Sequence, residues 1–260
     1  MGLLYYYRSF LQKFRNEVNY AYSKSSLIKD KEEIENIRKA CSITVQIFAK
    51  LIRQDLKPGK TEKELEQKII LYASELGADK DLAFKTIIGS GPHSSLVHSL
   101  PTTRTIRKGD IIQFDLGVKV KGYCADFSRV IYVGKKKKAP KKIKKLFKIV
   151  KKSQDLALDE LKKKQPFFIV AQKVNKYFEK KKVQYHFLHS LGHGIGIEVH
   201  EYPRIVEDMD AKLLPKPGMV VTVEPGLYYP GKFGLRLEDT VLITAQGLEI
   251  LTKFPRKLFI

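Results

Sequence analysis

Apolar residues recur at helical intervals five times along the chain, and shorter apolar or alternating runs of strand type lie between and after them. Leu3, Leu4, Tyr7, Leu11, Phe14 and Val18, with Arg and Lys between them, predict an amphipathic amino-terminal helix over 3–20. A second stripe, Ile34, Ile37, Cys41, Thr44, Phe48 and Leu51, predicts a helix from about residue 30 to residue 54, ended by Pro58-Gly59. Thr61 with Glu64 three residues on forms a capping box for a helix through Leu76, closed at Gly77. Strand-like runs follow at 82–89, 109–120 and 122–133, helices at about 140–163 and 167–181, and strand-rich segments at 183–200, 218–229 and 234–251. Helices followed by strands, twice over, predict an α+β fold: antiparallel sheet covered by helices, with an internal pseudo-twofold duplication. No low-complexity linker divides the chain.

Two strand-like runs carry a residue that does not belong in a buried strand. IIQFDLGVKV holds Asp115 and GYCADFSRVIYV holds Asp126. An unpaired carboxylate in such a place costs several kcal/mol or stays protonated. If Lys119 to Gly122 form the turn, Val118 opposes Tyr123 and Asp115 falls directly opposite Asp126, with β-carbons about 5 Å apart. Glu224 ends the apolar run MVVTVEP and Glu238 interrupts GLRLEDTVLIT; Arg236 is the one cation close by in sequence. All six histidines fall in two windows, His93 and His98 in GSGPHSSLVH, then His186, His189, His193 and His200 in HFLHSLGHGIGIEVHE. Gly192, Gly194 and Gly196 around His193 suggest a backbone left open to a metal or substrate, whereas His186 reads as structural. Four carboxylates and an imidazole suit two divalent first-row cations better than a thiolate zinc site. Such ions lower the pKa of a coordinated water toward neutrality, so the reaction class is metal-assisted hydrolysis.

Composition narrows the setting. No apolar run approaches the roughly 20 residues that span a bilayer, and MGLLYYYRSF lacks the features of a secretory leader. Two cysteines, Cys41 and Cys124, form no disulfide framework and suit a reducing compartment, so a cytoplasmic protein is expected. Both read as packed side chains. The net charge of +21 brings a nucleic-acid partner into view. Its densest stretch, residues 135–152, nevertheless places Ile143, Leu146, Phe147 and Val150 at helical spacing, which makes it an amphipathic helix with a solvated lysine face.

The stretches GSGPHSSLVH, PTTRTIRKGDIIQFDLG, GYCADFSRV, HSLGHGIGIEVHE, GMVVTVEPGLYY and LRLEDTVLIT resemble, in order, those of the Xaa-Pro peptidases. These aminopeptidase P and prolidase enzymes share the pita-bread fold with methionine aminopeptidases and creatinase. The resemblance covers residues 28–252 and implies a catalytic domain over 28–260 behind an amino-terminal extension, 1–27. It implies Asp115, Asp126, His193, Glu224 and Glu238 as ligands of two divalent ions, manganese or cobalt ahead of iron or zinc. Glu224 would also shuttle a proton, while His98, His189 and His200 would hold substrate and stabilise the tetrahedral intermediate beside Arg236. The implied substrate is a peptide with proline in second position. His189, four residues before the ligand, and the GLRLEDT stretch favour this branch over methionine aminopeptidase, the alternative within the fold. A non-catalytic scaffold binding RNA or ribosome is the alternative of another class. No membrane or nucleic-acid partner is expected, and a homodimer is. His93 stands where this branch is expected to carry Asn, which bears on the substrate pocket. Most relatives carry a further amino-terminal domain, which the short segment before residue 28 would replace.

Overall fold

The structure is a computed structural model that describes residues 26–209 and 213–259. The amino-terminal helix expected over 3–20 lies outside the described residues. Helices α1 (Lys31–Gln54) and α2 (Glu62–Glu75) begin at complete capping boxes, Asp30 with Glu33 and Thr61 with Glu64, so each start satisfies backbone donors that would otherwise be orphaned. They are followed by strands β1 (Ile87–Ser90), β2 (Ile111–Leu116), β3 (Lys119–Val120), β4 (Tyr123–Cys124) and β5 (Phe127–Tyr132). Helices α3 (Lys141–Lys162) and α4 (Phe167–Lys180) open the second half. Its strands are β6 (Gly192–Gly194), β7 (Glu201–Ile205), β8 (Val220–Val223), β9 (Gly226–Tyr229), β10 (Phe233–Arg236), β11 (Asp239–Thr244) and β12 (Gly247–Ile250).

Every paired strand is antiparallel. The first half forms a sheet in the order β1-β2-β5, extended by the β3-β4 hairpin; the second forms β12-β11-β8-β6-β7 with a separate β9-β10 ribbon. The expected α+β architecture with a repeated helices-then-strands order is thus present. Each half has its own core, in which Phe48, Leu51 and Leu65 of the first helices meet Phe114 and Phe127, while Val150, Leu161 and Val174 meet Val221 and Val241. Strand alternation does the rest. In β2, Ile112, Phe114 and Leu116 join the α1–α2 core, so Gln113 and Asp115 point to the opposite face. In β8, Val221 and Val223 join the α3–α4 core, leaving Thr222 on the other face and carrying Glu224 to the strand end.

Two expectations are corrected. Asp115 pairs across the sheet with Ser128, not with Asp126. The turn is tighter than anticipated: Val120 pairs with Tyr123, and Lys121 and Gly122 both take positive φ, 49° and 83°, as a two-residue hairpin turn of primed type requires. The Asp79 carboxylate accepts from both their amides, at 3.1 and 2.7 Å. A shift of two residues keeps Asp126 on the face of Asp115 but places it diagonally. The segment 183–200 is strand only at β6; it otherwise runs through a 3₁₀ turn, Gln184–His186, and bends. Two of its three glycines are required by neighbouring backbone rather than by a ligand: a Cβ at Gly192 would meet Thr222 O at 2.0 Å, and one at Gly194 would meet Tyr202 O at 2.2 Å; one at Gly196 would meet the Glu201 carboxylate.

Phe48 ties α1 to both central strands and to the carboxy-terminal segment, with ring centroids 5.5 Å from Phe114, 5.2 Å from Phe127 and 5.1 Å from Phe254. Phe48→Ala is expected to destabilise the protein by about 3–5 kcal/mol. Urea unfolding measures this; a loss below about 1 kcal/mol would show that the ring cluster does not anchor the helix.

Candidate metal centre and its surroundings

Five side chains expected to meet do converge. Asp115 comes from β2, Asp126 from the link into β5, His193 from β6, Glu224 from the end of β8 and Glu238 from the link between β10 and β11. All five line one cavity of about 250 Å³ together with His98 and His200. His193 Nε2 lies 3.6 Å from Asp126 Oδ2 and 3.4 Å from Glu224 Oε1, and His189 Nδ1 lies 3.6 Å from Glu224 Oε2. His98, His189 and His200 ring this floor: the His200 ring packs edge-on against His193 at 4.4 Å. Phe84, Ile87, Leu100 and Val199 provide apolar walls.

Three carboxylates share one arrangement. Asp115 Oδ2 accepts from Arg236 Nη2 at 2.5 Å, Glu238 Oε2 accepts from Ser128 Oγ at 2.9 Å, and Asp126 Oδ2 faces His193. The other oxygen of each, Asp115 Oδ1, Asp126 Oδ1 and Glu238 Oε1, is buried and has no hydrogen-bond partner. A buried carboxylate oxygen left so is strongly unfavourable, and three in one cavity are the arrangement a cation completes. Atoms of Asp126, His193 and Glu238 lie within 4.8 Å of one another, close enough to share one ion. The residues present therefore fit a divalent metal.

The electrostatics agree. Burial, reinforced by the neighbouring carboxylates, pushes the Asp126 and Glu238 carboxyls well above their ordinary range. Burial drives Glu224 up to about 8, with Arg236 opposing the rise and Asp115 adding to it. His189 and His193 are driven down to about 3, chiefly by burial and then by Arg236 and His200 respectively; burial also lowers His200. The imidazoles are thus neutral, ready to donate a lone pair.

Arg236 is fully buried and donates to Asp115, to Ser128 Oγ at 2.9 Å, to Tyr228 Oη at 2.7 Å and to Val97 O at 3.1 Å. Tyr228 Oη also lies 2.9 Å from His189 Nε2. Because a guanidinium only donates, the single Tyr228 proton goes to His189 Nε2. That leaves the His189 proton on Nδ1, which donates to Ser190 O at 2.8 Å and faces Glu224.

Sequence reasoning missed Ser128, Tyr228 and Gln113. Ser128 and Gln113 each lie two residues from a carboxylate on the same strand face, a spacing that could have found them. Oriented with its amide oxygen toward the guanidinium, Gln113 accepts from Arg236 at 3.2 Å. Arg129 was missed as well. It pairs with Asp239 at 2.7 Å and donates to Glu238 O at 2.6 Å, which fixes the backbone at that carboxylate. His186 is structural, its ring lying 3.8 Å from that of Tyr229 and its Nδ1 3.0 Å from Tyr228 O. Cys41 and Cys124 are buried and unpaired. His93 does not line the metal cavity; its Nδ1 lies 3.3 Å from Glu62 Oε2.

A doubled α+β fold that gathers carboxylates and imidazoles in this way is the pita-bread fold of prolidases and aminopeptidase P. The prolidase from Pyrococcus furiosus superposes with a TM-score of 0.85 at 37% identity, covering 91% of this chain and 68% of that one. The X-Pro aminopeptidase from Thermotoga maritima MSB8 gives 0.86 at 36%, covering 92% and 66%. Residues 35–245 match metallopeptidase family M24, and the chain belongs to that family. In sequence it is 39% identical over 236 residues to the Xaa-Pro dipeptidase of Pyrococcus furiosus and 35% identical over 237 residues to the uncharacterized peptidase YqhT of Bacillus subtilis. It is covered to 89% and 91% by these alignments and spans 65% of the length of each relative.

Adding manganese or cobalt at about 100 times its dissociation constant is expected to stabilise the protein by about 2.7 kcal/mol, raising the melting temperature by roughly 5–10 °C. Glu238→Gln removes one buried like charge. Its metal-free form is expected to melt no lower than the parent, and its metal-induced shift to fall close to zero. Thermal melts with and without chelator measure both; a parent indifferent to metal would contradict the assignment.

Proposed function

We propose that the chain is a dinuclear metallo-aminopeptidase that hydrolyses the bond between an amino-terminal residue and a following proline. Residues 28–260 form its catalytic unit. The observation that carries this reading is the set of three buried, unpartnered carboxylate oxygens converging beside His193. Asp115, Asp126, His193, Glu224 and Glu238 would hold two divalent cations, manganese or cobalt ahead of iron or zinc. Such ions, when bound, supply Lewis acidity and ease the ionisation of water.

The chain's own residues do the remainder. Glu224 lies against both His193 and His189, so its carboxyl is placed to take up a proton at Oε2 and return it to the leaving amine. His98 and His200 line the same space and His189 faces it beside Glu224, an arrangement suited to holding a peptide carbonyl and the charge that develops on it. Arg236 donates to Asp115 and orients it. Phe84, Ile87, Leu100 and Val199 offer an apolar wall to a proline ring and exclude water from the reacting bond. Unpaired buried cysteines support a reducing, cytoplasmic setting. Among the described residues no helix is long and apolar enough to cross a membrane. We place no nucleic acid or membrane among its partners and expect a homodimer.

The test is hydrolysis by purified, manganese- or cobalt-loaded protein of Ala-Pro and longer Xaa-Pro peptides against Met-Ala peptides. Preferential cleavage of Met-Ala would make the enzyme a methionine aminopeptidase; no metal uptake and no chelator-sensitive hydrolysis would favour a binding scaffold. His189→Ala is expected to lower kcat by about 10²–10³-fold while leaving metal content unchanged.

A further inference from the structure

Glu62 is a fully buried carboxylate that the mechanism above does not use. It is the residue that opens α2, and five donors converge on it. Ser90 N and Ser90 Oγ donate to Oε1 at 2.7 and 2.6 Å. Thr102 N and Thr102 Oγ1 donate to Oε2 at 3.0 and 2.7 Å, and His93 Nδ1 lies 3.3 Å from Oε2. Although burial opposes ionisation, the hydrogen bonds from Ser90 and Thr102 hold this carboxyl below its ordinary range, so it is an anion with its lone pairs occupied.

The donors are not scattered. Ser90 and Thr102 are the two roots of the segment 91–101, and one carboxylate joins them. That segment delivers three groups to the metal cavity or its supports: His98 and Leu100 to the cavity wall, and Val97 O to Arg236 Nη1 at 3.1 Å. Its far side is fixed by Ser94 Oγ and Ser95 Oγ, which accept from Gly234 N at 3.0 Å and Gly231 N at 3.2 Å. None of the five carboxylate and imidazole groups of the metal centre touches Glu62.

The geometry points to Glu62 as a positioning residue that clamps the roots of the 91–101 segment and thereby sets His98 against the substrate. The kinetic part of this inference rests on the peptidase reading. The clamp itself does not, because it is visible in the protection of the Ser90 and Thr102 amides.

Glu62→Gln keeps the shape of the side chain but exchanges one acceptor oxygen for an NH₂ donor, which then faces donors from Ser90 or Thr102. The expected result is at least tenfold faster hydrogen exchange at the Ser90 and Thr102 amides, with unchanged metal stoichiometry. On an Xaa-Pro peptide, kcat/KM should fall at least tenfold. In a His98→Ala background the same Glu62→Gln change should cost less than threefold, because its route to the substrate is already gone. Thr102→Val, which removes the 2.7 Å donor and leaves Glu62 in place, should move the same readouts in the same direction by a smaller factor, and it decides the matter if Glu62→Gln does not fold. Losses that multiply in the double variant, or loss of metal together with unchanged amide exchange, would overturn the clamp. Failure of the wild type to cleave any Xaa-Pro peptide would overturn the peptidase reading, leaving the exchange measurement to judge the clamp.

Discussion

Gathering four carboxylates in a buried cavity is unfavourable twice over, since each is removed from water and each repels the others. The structure around the site is arranged to sustain that charge. Asp115, Asp126 and Glu238 each turn one oxygen toward the protein, to Arg236, His193 and Ser128 respectively, and leave the other oxygen bare. At Asp115 and Glu238 the hydrogen-bonded oxygen fixes orientation; the bare one is what a cation requires. A site in which every lone pair had found a protein donor would be more stable and would bind nothing. Stability is surrendered at defined atoms, and helix packing in both halves offsets it.

Much of this was legible in the sequence because burial and charge conflict there openly. Asp115 in IIQFDLGVKV and Glu238 in GLRLEDTVLIT violate strand patterning, and a violation of that kind is readable without coordinates. The capping boxes at Asp30 and Thr61 and the repeated order of helices and strands were readable for similarly local reasons. The pairing of Asp115 was not. Its register depends on whether the hairpin turn has two residues or four, and that is settled by positive φ at Lys121 as well as Gly122, a conformation an ordinary lysine does not advertise.

The glycines of HSLGHGIGIEVHE show a different limit. Their presence was clear, but the reason for them was misread: Gly192 and Gly194 admit the backbones of β8 and β7, not a ligand. Ser128, Gln113, Tyr228 and Arg129 were invisible for another reason, since each is ordinary in its own strand and gains meaning only from partners a hundred or so residues away or across a strand pair. Local conflicts betray ligands. The residues that hold ligands in place satisfy local rules and stay silent.

Arg236 shows why both kinds are needed. A single guanidinium can neutralise one carboxylate, yet it is tied to Asp115, Ser128, Tyr228 and Val97 O together. Those bonds hold its charge at one side of the cavity and keep it from collapsing onto Asp126 or Glu238. The remaining negative charge is therefore displaced toward the bare oxygens, away from the arginine. Were the same guanidinium free to swing, it would satisfy those oxygens itself and exclude a metal. Rigidity of the internal cation, set by uncharged neighbours such as Ser128 and Tyr228, is what leaves those oxygens to an external one.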